Sequence, residues 1–139
     1  MIISIDFDGT IVEHEYPAIG KTKLFAFETL KALQNKKHTL ILWTFRAGKE
    51  LDEAVDFCKK NGIEFYAINR SFPEEDTLDD NVSRKINADV FIDDRNLGGF
   101  PGWSKVWELL EDEEKYIQDV EAQNKKSSAK RGLFSRLFG

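Results

Sequence analysis

The chain predicts an α/β fold, a Rossmann-like parallel sheet with helices on both faces, in three layers. Three observations carry this. Four short apolar runs, IISIDF, TLILW, IEFYAI and ADVFI, have the length and the β-branched or aromatic content of buried strands. Segments with apolar residues at helical spacing lie between them, and such alternation builds parallel βαβ units covered on both sides. Three of the four runs end in polar residues: Asp6 and Asp8, Thr44 and Arg46, Asp93 and Asp94. In a parallel sheet those ends share one edge, the edge at which such folds bind ligands.

Taken in order, residues 2–7 are the first strand. Residues 9–20 carry turn chemistry (Gly9, Pro17, Gly20) around Ile11 and Val12, and predict a small flap. Residues 22–36 read as a helix capped by Thr22, with Ala26, Leu30 and Leu33 on one face. Strand 39–43 and its exit loop 44–48 precede a helix over 50–61, where Leu51, Ala54, Val55 and Cys58 line one side and Gly62 ends it. Cys58 is thus a core residue, with no His or second Cys nearby to make it reactive. Strand 63–68 leads into an acidic loop, 69–80, then a short helix over 81–87 and strand 88–92. A glycine-rich connector, 97–102, opens into a long helix over 103–124, anchored by Trp103, Trp107 and Leu110.

Composition sets the bounds. A chain of 139 residues predicts one domain, here 1–124, with a core of real size. Of 20 Lys and Arg, five fall in residues 125–139, where no Asp or Glu does. The first 124 residues therefore carry 15 bases against 25 acids, a net of −10. An acidic body makes nucleic acid an unfavourable partner. The tail, 125–139, reads as flexible. The sharper alternative is a basic amphipathic patch, built on Leu133, Phe134, Leu137 and Phe138, that docks weakly on an anionic membrane surface or a protein. The start of the chain lacks a signal-peptide pattern and the single cysteine allows no internal disulfide, so a cytoplasmic location is expected.

The chemistry gathers around Asp6, Asp8, Gly9 and Thr10. Two carboxylates one residue apart at the exit of a buried strand repel each other. They must be hydrated, hydrogen-bonded or bound to a cation. DFDGT at 6–10, a strand ending in Thr44, Lys85 ahead of the last strand and IDD at 92–94 resemble, in residue type and order, the four motifs of the haloacid dehalogenase-like (HAD) hydrolases. The resemblance covers residues 1 to about 120. It implies a HAD-type fold and a Mg²⁺-dependent phosphatase that forms an aspartyl-phosphate. Asp6 would be the nucleophile and Asp8 the general acid and base. Thr44 would donate to a phosphate oxygen, and Lys85 would neutralise charge. Gly9 and Thr10 would turn the chain so that backbone N–H groups face the phosphate. Asp6, Asp8 (through its carbonyl), Asp93 and Asp94 would be the Mg²⁺ ligands. Arg46, in a T-x-R pattern, suits bidentate phosphate binding, or else an ion pair with the acids. That pattern and the DDR run also resemble the phosphatase domain of polynucleotide kinase-phosphatases.

The remaining candidates are weaker. Arg95 suits orientation of Asp93 or Asp94, and His14 in the flap reads as an exposed residue, with contact to substrate the alternative. His38 and Trp103 read as structural. The two gaps where members of this superfamily carry a cap, 11–21 and 69–80, are too short to form one. A capless, open site admits a phosphorylated macromolecule as readily as a small ester. The alternative reading is a non-catalytic phosphate- or Mg²⁺-binding regulatory module. A receiver-like domain fits poorly, because the third strand ends in Ile68-Asn69-Arg70 with no acid.

Overall fold

The computed structural model describes residues 1–138. The chain forms two compact units, Met1–Ser104 and the residues from Lys105 on. In the first unit, β1 (Ile2–Ile5), β2 (Thr39–Leu42), β3 (Ala67–Ile68) and β4 (Val90–Ile92) make one sheet in the order β3-β2-β1-β4. Every neighbouring pair is parallel. α1 (Ala26–Asn35) connects β1 to β2, and α2 (Gly48–Lys60) connects β2 to β3. The α/β class predicted from strand–helix alternation is what the chain adopts.

The strand order places the site. From β1 the chain builds outward through β2 to β3, then returns to the far side of β1 for β4. That reversal opens a crevice beyond the carboxyl ends of β1 and β4, the switch point of the sheet. Asp6 and Asp8 leave β1 there, and Asp93 and Asp94 leave β4.

Paired residues in a ladder share a face and alternate along each strand. Ile3 is in register with Leu40 and Val90, and Ile5 with Leu42 and Ile92. Phe7 continues this face two residues on. Its ring meets Phe57 of α2 edge-on at 6.2 Å, and Phe57 meets Phe27 of α1 at 5.8 Å. On the other face Ile41 and Ala67 pack with Ile86, flanked by Ile2, Trp43 and Phe91. Residues 81–87, expected as a helix, form turns and bends instead. Burial of Ile86, about 2 kcal/mol for a side chain of its size, anchors this irregular segment to the sheet.

Other boundaries moved for local reasons. α1 starts at Ala26 rather than Thr22. Thr22 instead bridges Val12, while Lys23 N–H donates to Ile11 and Glu13 N–H to Lys21, so the flap closes as a narrow antiparallel ribbon. Phe25, at φ 63°, then turns the chain into the helix. β3 keeps two residues of the six expected, since as an edge strand it pairs on one side only. Cys58 is fully buried, and burial pushes its thiol up to about 12, as fits a core position. α3 (Trp103–Phe138) does not stop near Asn124 but runs helical through the segment expected to be flexible. No helix among the described residues is long and apolar enough to cross a membrane.

Candidate functional site

Beyond β1 the backbone turns tightly on one carbonyl: the N–H groups of Thr10, Ile11 and Val12 all donate to Phe7 O, at 3.2, 2.9 and 3.3 Å. Gly9 N–H donates to Val12 O at 2.7 Å. The Gly9 and Thr10 amides, expected to face a phosphate, are therefore engaged within the turn. Both residues serve the site differently. Thr10 is fully buried and its hydroxyl donates to Asp6 Oδ2 at 3.1 Å. Gly9, at φ +82°, makes room for Asp94, because a Cβ there would lie 2.1 Å from Asp94 Oδ2. Trp103 is a buried anchor, as its reading as structural predicted, donating from Nε1 to Thr10 O at 2.9 Å.

Asp6, Asp93 and Asp94 converge. One oxygen from each lies within 4.8 Å of the others. Asp6 N–H donates to Ile92 O at 3.0 Å, tying the two strand exits together. Asp93 Oδ1 accepts from Arg95 N–H at 2.9 Å, so Arg95 orients it through its backbone. Burial, and then the charge of Asp93, push the Asp6 carboxyl up from its ordinary 3.8 to about 7, with Asp94 adding to the effect. Hydrogen bonds from Phe7 N–H and Thr10 oppose the shift. Three carboxyl groups offering hard oxygen donors, Asp6 among them raised by burial and by its acidic neighbours, form a set that could hold a metal ion.

Asp8 stands apart from this cluster. Arg46, 1% exposed, grips it in a two-point fork, Nε to Oδ2 and Nη2 to Oδ1, both at 2.8 Å. The remaining donors go to backbone carbonyls: Ala18 at 2.8 Å, Pro17 at 3.1 Å and Glu50 at 3.4 Å. The guanidinium carbon lies over the Phe7 and Tyr16 rings, 5.0 and 5.2 Å from their centroids. All five N–H donors are engaged, so Arg46 is not a phosphate ligand here. Of the two roles its pattern allowed, it takes the ion pair, and it also pins the flap. The Asp8 carboxylate is thus taken up by Arg46, and the metal role expected of that residue is through its backbone carbonyl.

Thr44 leaves β2 with its N–H donating to Asn69 Oδ1 at 2.8 Å. Its Oγ1 accepts from Arg46 N–H at 3.2 Å, so the hydroxyl proton is directed elsewhere. Asn69 sits at φ 53° on the exit of β3, and its Nδ2 donates to Arg46 O at 3.4 Å. Asn69 was not singled out in the sequence. The available signal was an Asn at a strand exit, the residue type that tolerates the left-handed region.

These groups line a cleft of about 850 Å³ in the first unit. Asp6, Asp8, Thr44, Asp93 and Asp94 reach it, as do His14, Arg84 and Arg95, with Tyr16, Trp43 and Phe45 as aromatic walls. Lys85 does not line it. Its Nζ lies 5.4 Å from the centre of the Phe91 ring, and the cation that the 81–87 segment brings to the cleft is Arg84. The segment 81–87 forms turns and bends rather than a helix, with Ile86 buried against Ile41 and Ala67.

Fold and cleft together define an α/β protein whose cation-competent carboxylates stand at the switch point of a parallel sheet. No family model matches the chain, and no curated protein does. It is similar to the solved structure of a conserved protein coded by a locus of Bacteroides thetaiotaomicron, with 54% identity, a TM-score of 0.77, and 81% of this chain and 91% of that chain covered. The chain belongs to the family of that conserved protein.

Proposed function

We propose that the protein is a Mg²⁺-dependent phosphomonoester hydrolase of the capless HAD-like kind, acting through a phosphoryl group carried on Asp6. The observation that carries this reading is the convergence of Asp6, Asp93 and Asp94 at the switch point, with the Thr44 hydroxyl on the same cleft. The order of the DFDGT, Thr44 and IDD motifs supports it.

Asp6, Asp93 and Asp94 would hold the metal. Bound there, Mg²⁺ would offset their mutual repulsion and draw in phosphate oxygens. The chain's own residues do the rest. Asp6 is held at Oδ2 by Thr10, which leaves Oδ1 to attack phosphorus as the bond to the leaving oxygen breaks. Thr44 donates to a phosphoryl oxygen, and Arg84 and Arg95 supply positive charge at the cleft. Water then attacks phosphorus, Asp8 accepts its proton, and the bond to Asp6 breaks. Both Asp8 carboxylate oxygens accept from the Arg46 fork, so esters whose oxygen leaves without a proton, such as aryl phosphates, should react fastest.

The test is a panel of aryl, alkyl and acyl phosphates with Mg²⁺ and with EDTA, run beside Asp6→Asn. Mg²⁺-dependent hydrolysis that is lost in Asp6→Asn is expected; no hydrolysis, or full activity in the variant, would overturn the reading. The immobilised Asp8 favours one alternative, a phosphate- and cation-binding regulatory module of the same fold. Thermal stabilisation by Mg²⁺ without any turnover would select it.

A further inference from the structure

Residues 125–138 take no part in the cleft, yet they are neither featureless nor acidic. α3 continues through Phe138, so Leu133, Phe134, Leu137 and Phe138 share one side of its last two turns. They are 61, 67, 68 and 76% exposed, and the Phe134 and Phe138 rings lie 4.7 Å apart. Such a contiguous exposed apolar patch marks a surface that docks on something. Charge identifies the something. Residues 105–124 carry seven acids and two Lys, whereas 125–138 carry Lys125, Lys126, Lys130, Arg131 and Arg136 with no acid.

We infer that residues 125–138 dock on an anionic lipid surface, with the helix lying in the plane of the interface. Leu133, Phe134, Leu137 and Phe138 enter the acyl boundary. The basic side chains meet headgroup phosphates and keep their stems along the apolar zone. A second copy of the chain is a poorer occupant, since two tails would bring ten cations together without an anion. The helix lies on the membrane rather than across it, because no helix among the described residues is long and apolar enough to span. Two apolar turns bind weakly alone. Each Lys or Arg near an anionic surface raises partitioning about five-fold, so attachment needs both features and is reversible. This inference does not depend on what the cleft hydrolyses.

The experiment is flotation of the full chain with vesicles of phosphatidylcholine alone or with about one third phosphatidylglycerol, at about 0.1 M salt. The chain is expected to float with the anionic vesicles and at least about a hundred-fold less with the neutral ones. The full-length variants Phe134→Ser/Phe138→Ser and Lys125→Gln/Lys126→Gln/Lys130→Gln should each lose about ten-fold or more of that binding. These side chains are exposed, so circular dichroism should show both variants folded. No flotation with anionic vesicles, equal flotation with neutral ones, or undiminished binding by the variants would overturn the inference. So would tail-dependent self-association without flotation, which would give the face to a second copy.

Discussion

Replacing Arg46 by Ala removes all five donors at once and leaves Asp8, 12% exposed, without its countercharge. Breaking one partner of a buried ion pair costs about 3–5 kcal/mol. The three carbonyls of Pro17, Ala18 and Glu50 lose their donor in the same step, and the cation–π contacts with Phe7 and Tyr16 go with it. The expected loss is therefore at the upper end, about 4–5 kcal/mol, read by urea denaturation at pH 7. Arg46→Lys keeps the charge but not the fork, and should cost about 2 kcal/mol. Asp8→Ala leaves the guanidinium buried and unpaired. In a cycle with Arg46→Ala the two effects should fall short of additivity by about 2 kcal/mol or more. An Arg46→Ala loss below about 1 kcal/mol, or strict additivity, would refute the assignment of Arg46 as the clamp on Asp8.

The Asp6 carboxyl has a folded-state pKa near 7 against 3.8 unfolded, so its protonated form favours folding. Its contribution is complete below about pH 4 and is lost as pH rises through about 7; in EDTA, the Tm of wild type relative to Asp6→Asn should fall across that window, and a difference constant with pH would contradict this. Gly9→Ala forces a side chain into φ +82° and against Asp94, and should cost about 2 kcal/mol or more and weaken Mg²⁺ binding measured by calorimetry. Arg84→Ala should lower kcat/KM about ten-fold or more while Lys85→Ala stays within about two-fold; the reverse order would place the wrong cation in the cleft.

Much of this was legible because strand exits are local. Ile-rich runs ending in Asp6, Thr44 and Asp93 announce where a parallel sheet presents its chemistry, and the sheet order brings the first and last together. What was not legible depends on long-range pairing or on backbone conformation. The pattern Thr44-Phe45-Arg46 fits a phosphate ligand as well as a clamp, and only the fold reveals that the guanidinium meets Asp8, 38 residues away. Lys85 and Arg84 are neighbours of like charge, and a helix over 81–87 would have oriented them differently from the turns that form. Thr22 carries a good capping side chain, yet its pairing with Val12 in the flap outweighs a cap. The helix through residue 138 was hidden by Gly132 and the Ser and Lys residues around it, which weaken the apolar periodicity of α3 until its last two turns.

The proposed reaction places a phosphoryl group on Asp6. Rapid acid quench of the protein mixed with an aryl phosphate and Mg²⁺, followed by peptide mass spectrometry, tests it most directly. Asp8→Asn should accumulate the adduct, since its removal needs the Asp8 carboxylate. One added phosphoryl group on the peptide containing Asp6, absent from Asp6→Asn and from samples in EDTA, is the predicted result. Turnover of the ester with no adduct, or an adduct on another residue, would contradict the account.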